Sequence, residues 1–360
     1  MTALKTLQER GQSIWLDSIS RELLESGTLS RYISDLSVTG LTSNPTIFER
    51  AISSSSRYDA AIRSHLEREL PPERLFFEFA LEDIVEAADL LRSIHDDSGG
   101  RDGFASIEVS PTLADDAAGT IAEGKALFAR AERPNVLIKV PGTAAGLVAI
   151  EELTAAGIPV NVTLLFSRTQ YQEAAEAYLR GIERRIEAGL DASVPSVASL
   201  FISRWDAHSA ALLPPELANQ LGIAIAKRSY KVYREILRSD RWGRLARAGA
   251  QPQRLLWAST GTKDPCLPAT YYVTALAAEG TVNTLPEKTL LAFAESGEVR
   301  ELLGDDTADA DRIVAEARRA GVDVDALAAR LQTEGRDLFV ESWNDLLACI
   351  ESKRNAMRRV

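Results

Sequence analysis

Histidine, cysteine and methionine are scarce in this 360-residue chain, with three, two and two copies. His65, His95 and His208 stand far apart and in no ligand spacing, so no metal centre is expected. Cys266 and Cys349 form neither a metal nor a redox spacing, and one pair is too few for a disulfide framework. That usage fits a reducing cytoplasm. No apolar run approaches the roughly 18 residues that a membrane helix needs. The opening MTALKTLQERGQSIW lacks the apolar core of a secretory signal. Positive charge is also in deficit: 41 Lys and Arg against 52 Asp and Glu leave a net charge of −11. Bulk binding to nucleic acid or to an anionic membrane is therefore not expected, whereas a small basic pocket for a phosphorylated metabolite is compatible with this balance.

What the chain does have is a repeated alternation. Short apolar runs bounded by turn residues occur at 13–18, 38–43, 104–110, 135–141, 159–166, 195–201, 254–260 and 281–286. Helical patterns fill most of the gaps. The stretch LFFEFALEDIVEAADLLRSI (75–94) begins like a strand, but its helical period continues, so a helix is expected there. Eight strand–helix units predict a parallel sheet closed as a (β/α)8 TIM barrel. The rival is a doubly wound open sheet, which usually carries a Gly-rich phosphate loop after its first strand. Here the first strand ends in Asp17-Ser18 with no such loop. Two additions are expected to decorate the barrel: a helical insertion at 206–253, after strand 6, and a helical C-terminal segment at 287–360. With no flexible linker in sight, residues 1–360 are expected to form a single domain. The insertion carries Arg228, Lys231, Arg234 and Arg238, which suit a solvated helix face or a lid near a phosphate.

Strand alternation then picks out Lys139. In NVLIKVP, Leu137 and Lys139 share one face, and Val136, Ile138 and Val140 share the other. An apolar trio packs well against helices, so Lys139 is expected to point into the barrel near the C-terminal end of its strand, where barrel active sites are built. Other strands carry polar groups at the same level: Asp17, Thr42 with Asn44 just beyond, Glu108, Asn161 and Thr163, Ser199 with Phe201 and Arg204, and Ser259 with Lys263.

An exposed amine is neutral in roughly one molecule in a few thousand at pH 7, and burial disfavours the charge. A lysine inside a barrel is therefore a candidate nucleophile that attacks a carbonyl and forms a Schiff base. The plain alternative is a structural ion pair with Glu108 or Asp17. A salt bridge needs one carboxylate, whereas this set offers two, with a threonine and an asparagine beside them. Taken singly, Thr163 and Ser199 also suit a core, Asn44 before Pro45 suits a turn, and Arg204 suits a solvated surface.

The segments LTSNPTIF (41–48), SIEVSPTLADD (106–116), VLIKVPGTAAG (136–146) and VNVTLLFS (160–167) together resemble the transaldolase family. The likeness runs from Asp17 to about Pro286, and the extra helices resemble the long form common in actinobacteria and cyanobacteria. It implies a (β/α)8 barrel that moves a dihydroxyacetone unit between sugar phosphates in the non-oxidative pentose phosphate pathway, with no cofactor and no metal. Position by position, it implies that Lys139 forms the Schiff base and that Asp17 handles the C4 hydroxyl proton. Glu108 moves protons through a bound water that Thr163 helps to hold. Thr42, Asn44, Asn161, Ser199 and Ser259 become substrate contacts, and Arg204 a phosphate ligand. Where that family often has an A-S-F-R-like run after the seventh strand, this chain reads ASTGTKD, which leaves Lys263 as the second phosphate cation. The sixth strand reads SLFISR in place of SPFVGR. Related fructose 6-phosphate aldolases are shorter and tend to have tyrosine where Phe201 stands, so the transferase is favoured over such an aldolase and over a non-catalytic sugar-phosphate-binding barrel. The expected partners are sugar phosphates, bound by a monomer or a homodimer.

Overall fold

Eight strands form where the apolar runs stand, each end within two residues of its expected place: β1 (Ser13–Leu16), β2 (Val38–Thr42), β3 (Phe104–Glu108), β4 (Val136–Pro141), β5 (Val160–Leu165), β6 (Ser196–Phe201), β7 (Gln253–Ala258) and β8 (Val282–Leu285). The computed structural model describes residues 2–66 and 70–358. All neighbouring strands are parallel, they pair in chain order, and β8 closes onto β1. The architecture is a (β/α)8 barrel. The stretch that opens like a strand is a helix, Pro72–Leu90, followed directly by Arg92–Asp97.

Side-chain alternation sorts the core into an inside and an outside. Val136, Ile138 and Val140 join the large apolar cluster shared with the surrounding helices. Leu137 instead joins Trp15, Phe104, Val197, Leu256 and Val282, which plug the barrel floor. Trp15 fills that floor so closely that a Cβ on Gly40 would lie 2.6 Å from its ring, which explains a glycine inside β2. Lys139 shares the parity of Leu137 and stands one layer above the plug, on the interior face.

Capping residues fix where β2, β4 and β5 give way to helices. Asn44, Thr143 and Ser167 each accept a hydrogen bond from a backbone N–H in the first turn of the following helix. Ser167 and Gln170 complete a reciprocal capping box. These caps hold the strand ends, and so the site built on them, in place.

β5 departs from simple alternation. Its pairing with β6 shifts between Val162 and Leu165, and Leu164 has φ +59°. A left-handed leucine in a bulge is uncommon and costs on the order of 1–3 kcal/mol. The bulge turns Leu164 from the outer face, where alternation puts it, to the inner cluster beside Phe166 and Phe201. Bulges of this kind re-aim side chains next to active sites.

The insertion after β6 forms helices Ser203–Ser209, Leu221–Arg238 and Asp240–Arg247. Its basic residues are neither a lid nor simply solvated. Arg228 lies 2.9 Å from Asp311, Arg234 lies 3.6 Å from Glu279, and Arg238 pairs with Asp305. Lys227 adds a contact of 2.5 Å to Asp309. Lys231 and Arg238 are exposed, and among the described residues Lys231 has no ion-pair partner. The helix therefore docks along an ionic seam on the C-terminal segment, which forms Glu287–Ser296, Ala308–Arg319 and the 34-residue helix Val324–Met357.

Candidate active site

The C-terminal ends of the strands surround a cavity of about 340 Å³. Lys139 reaches it from β4, is 4% exposed, and donates from Nζ to the Ser43 carbonyl at 3.0 Å. Glu108 is its neighbour in register on β3, and its Oε2 lies 3.3 Å from that Nζ. This distance is close enough for an ion pair, yet the alignment is not that of a hydrogen bond, so Glu108 Oε2 stays unsatisfied. Thr163 Oγ1, fully buried on β5, is also without a partner among the described residues. Buried polar atoms are almost always paired, and each exception calls for an explanation. Two such atoms on strands flanking one amine are suited to receive a small polar reactant.

Asp17 closes β1. It accepts a hydrogen bond from Thr42 Oγ1 at 2.8 Å, and Thr42 shares a second contact of 2.8 Å with Thr284 Oγ1 on β8. Asp17 keeps some solvent access through the cavity, but dense surroundings dominate its chemistry. Burial pushes the Asp17 and Glu108 carboxyls above the usual carboxylate range, and Lys139 pulls both back in part. The site thus holds two acids poised to exchange protons, with an amine between them.

The mouth is cationic, although the chain as a whole is acidic. Arg204 leaves the end of β6 and stacks 5.7 Å from the Phe201 ring. Burial lowers its pKa and Glu334 opposes that shift, yet a guanidinium stays charged. Lys263, past β7, borders the same cavity and is exposed. Neither has a carboxylate within 4.0 Å among the described residues. Free cations at the mouth of a pocket suit a phosphate, which arginine can grip with two N–H groups.

The family model described as transaldolase/fructose-6-phosphate aldolase matches residues 14–350. The chain belongs to this family. It is 45% identical to a transaldolase of Frankia alni over 96% of each chain. It is 43% identical to transaldolase 1 of Streptomyces coelicolor, covering 97% of this chain and 94% of that one. A transaldolase of Neisseria gonorrhoeae is 42% identical, covering 97% and 99%.

Ten of the twelve residues picked out in the sequence border the cavity of this transaldolase-family chain: Asp17, Thr42, Asn44, Lys139, Thr163, Ser199, Phe201, Arg204, Ser259 and Lys263. Glu108 and Asn161 do not. Glu108 stands behind the amine. Asn161 is fully buried, donates to Ser106 Oγ at 3.1 Å and accepts from Ser199 Oγ at 2.8 Å. With both amide atoms engaged, Asn161 is placed to orient Ser199 rather than to meet a substrate. Asn44 spends its Oδ1 on the cap of Pro45–Ser53, leaving its amide N–H groups for a ligand. Ser259 has φ +55° and shares a hydroxyl contact of 2.9 Å with Ser203, which ties β7 to the helix that carries Arg204.

Sequence reasoning missed Thr284, Arg50 and Phe339, all of which border the cavity. Thr284 could have been found, since it shares the parity of Val282 on β8. Arg50 sits past the first turn of Pro45–Ser53, where helical side chains lean back toward the N-terminus and so toward the mouth. Phe339 carried no signal: in sequence it is one more apolar residue of a C-terminal helix.

Proposed function

We propose that this chain is a transaldolase: it moves a dihydroxyacetone unit from a ketose phosphate to an aldose phosphate through a Schiff base on Lys139. The observation that carries the reading is a buried amine at the closed end of a cation-rimmed cavity, 3.3 Å from a carboxylate. Lys139 attacks the C2 ketone of fructose 6-phosphate or sedoheptulose 7-phosphate. Glu108 delivers the proton that turns the C2 hydroxyl into leaving water, and Thr163 helps to hold that water, a role suited to the two unpaired atoms of these residues. The iminium is an electron sink. Asp17 takes the C4 hydroxyl proton, the C3–C4 bond breaks, and an aldose phosphate leaves. The three-carbon enamine then attacks glyceraldehyde 3-phosphate or erythrose 4-phosphate, and the steps reverse.

Asn44, Thr42 and Ser199 contact the three-carbon unit in this reading. Arg204 and Lys263 hold the phosphate, and this remote contact orients the reacting carbons. The chemistry draws on side chains alone and uses neither metal nor cofactor. The barrel, the insertion and the C-terminal helices act as one folded unit, supported by the ionic seam described above. The natural compartment is the cytoplasm.

Turnover of fructose 6-phosphate with and without erythrose 4-phosphate tests this function. A transferase consumes the donor only when the acceptor is present. Equal consumption with donor alone would make the chain an aldolase, and none in either case would make it a binding protein.

A further inference from the structure

The C-terminal helix does more than decorate the barrel. Gln332 Nε2 donates to the carbonyls of Gly142 and Leu164, both at 2.9 Å, and so satisfies backbone freed where β4 ends and β5 bulges. One turn on, Gly335 lets the helix descend onto the strand ends: a Cβ there would meet Leu164 Cδ2 at 2.9 Å and Arg204 Nη1 at 3.6 Å. One further turn on, Phe339 enters the cavity, 5% exposed, with Lys139 Nζ over its ring at 5.8 Å from the centroid. The helix is pinned beyond that point as well. Ser342 and Thr46 share a hydroxyl contact of 2.7 Å, Trp343 meets Phe76 edge to face at 5.0 Å, and Lys353 pairs with Asp59 at 2.9 Å. Phe339 is therefore a fixed wall rather than a swinging lid.

We propose that Phe339 sets the fate of the Lys139-bound enamine, favouring transfer to an acceptor over release of free dihydroxyacetone. This rests on the Schiff-base reading above. Release needs two small reactants. A proton adds to the nucleophilic enamine carbon and regenerates the iminium. Water then adds at C2, the C2–N bond breaks, and dihydroxyacetone leaves with the Lys139 amine restored. A rigid apolar ring beside the nitrogen denies water a hydrogen-bonding path from that side. The acceptor is anchored by its phosphate at Arg204 and Lys263, and Arg204 faces the helix at Gly335, one turn away from the ring, so the acceptor does not have to pass it. Phe339 stands beside the reacting nitrogen and belongs to specificity rather than to proton transfer.

The test uses the full chain as wild type, Phe339→Ala and Phe339→Leu. Two rates are measured for each: dihydroxyacetone released from fructose 6-phosphate alone, and transfer to erythrose 4-phosphate. The ratio of release to transfer is expected to rise by about tenfold in the alanine variant and by less in the leucine variant, which keeps more of the wall. A ratio equal to wild type in every variant that folds, with the two rates falling together, would overturn the proposal and leave Phe339 a packing residue. If the alanine variant does not fold, the leucine variant alone decides, on the same readout. Wild-type protein is also trapped with borohydride in the same series. Failure of that control would count against the Schiff base itself, separately from the role of Phe339.

Discussion

Arg21 with Asp83, in the helical layer, and Lys139 with Glu108, inside the barrel, are both cation–carboxylate pairs with a buried carboxylate, yet they are finished differently. Asp83 accepts from Arg21 Nε at 3.1 Å and from Tyr58 Oη at 2.7 Å, so each carboxylate oxygen has a donor. Arg21 also reaches Glu82 at 2.5 Å and lies 4.8 Å from the Tyr58 ring centroid. In the barrel, Glu108 Oε2 and Thr163 Oγ1 are left without hydrogen-bond partners. Saturation suits a structural role for the Arg21–Asp83 pair, because an unmet buried polar atom costs on the order of 1–3 kcal/mol. A pair that serves chemistry keeps unmet atoms for a reactant. The contrast is sharper than the carboxylate burial that the two sites share.

The largest effect that would break this comparison comes from removing each cation in turn. Lys139→Met is expected to abolish transfer, by at least about 10⁴-fold, with circular dichroism and cooperative melting retained. Arg21→Met is expected to do the reverse: transfer persists, while the unfolding free energy falls by about 3–5 kcal/mol because Asp83 loses its partner. Denaturant titration and a transfer assay on both variants check the pair. Unfolding of the Lys139 variant would make that lysine structural as well.

Next in size is the proton traffic. Glu108→Gln keeps the shape and is expected to lower kcat by about 10²–10³-fold, measured in steady state. The pH profile sharpens the same point. Asp17 must be ionised to take a proton, and burial raises its pKa. Activity is therefore expected to fall with acidification at a pH above the value of about 3.9 typical of a free aspartate. An acid limb at that ordinary value would contradict the burial argument.

At the mouth, Arg204→Ala is expected to raise KM for fructose 6-phosphate by about 10–100-fold, more than it lowers kcat. Lys263→Ala, at an exposed position, is expected to have a smaller effect on the same measurement.

A further effect returns to Asp83. Burial, against the opposing pull of Tyr58 and Arg21, pushes its carboxyl up to about 6. Its folded-state pKa is therefore raised, so its contribution to stability is complete below about pH 4 and is lost as pH rises through 6. At 1.36 kcal/mol per unit, this loss is about 3 kcal/mol. Asp83→Asn is expected to remove that part of the slope in unfolding experiments between pH 4 and 7.

The barrel and its inner ring were legible because both follow from local rules. Period-two alternation marks Lys139 as interior, and the ends of the strands locate Asp17, Thr163 and Ser199 at one level. The remainder depends on contacts that no local rule reports. Gln332 meets Leu164 across 168 residues of sequence. Phe339 reads as ordinary helix core, and the β5 bulge reverses the alternation that would put Leu164 on the outer face. The basic residues of the insertion found partners in a distant acidic segment, which pattern alone does not pair. Asn161 was legible as interior but not as saturated, since its partners Ser106 and Ser199 come from two other strands.

The covalent bond to Lys139 is open to direct capture by borohydride reduction of the protein with fructose 6-phosphate. A reduced three-carbon adduct is expected on the peptide that contains Lys139 and on no other. A label on a different lysine, or none under conditions where the sugar is turned over, would contradict it.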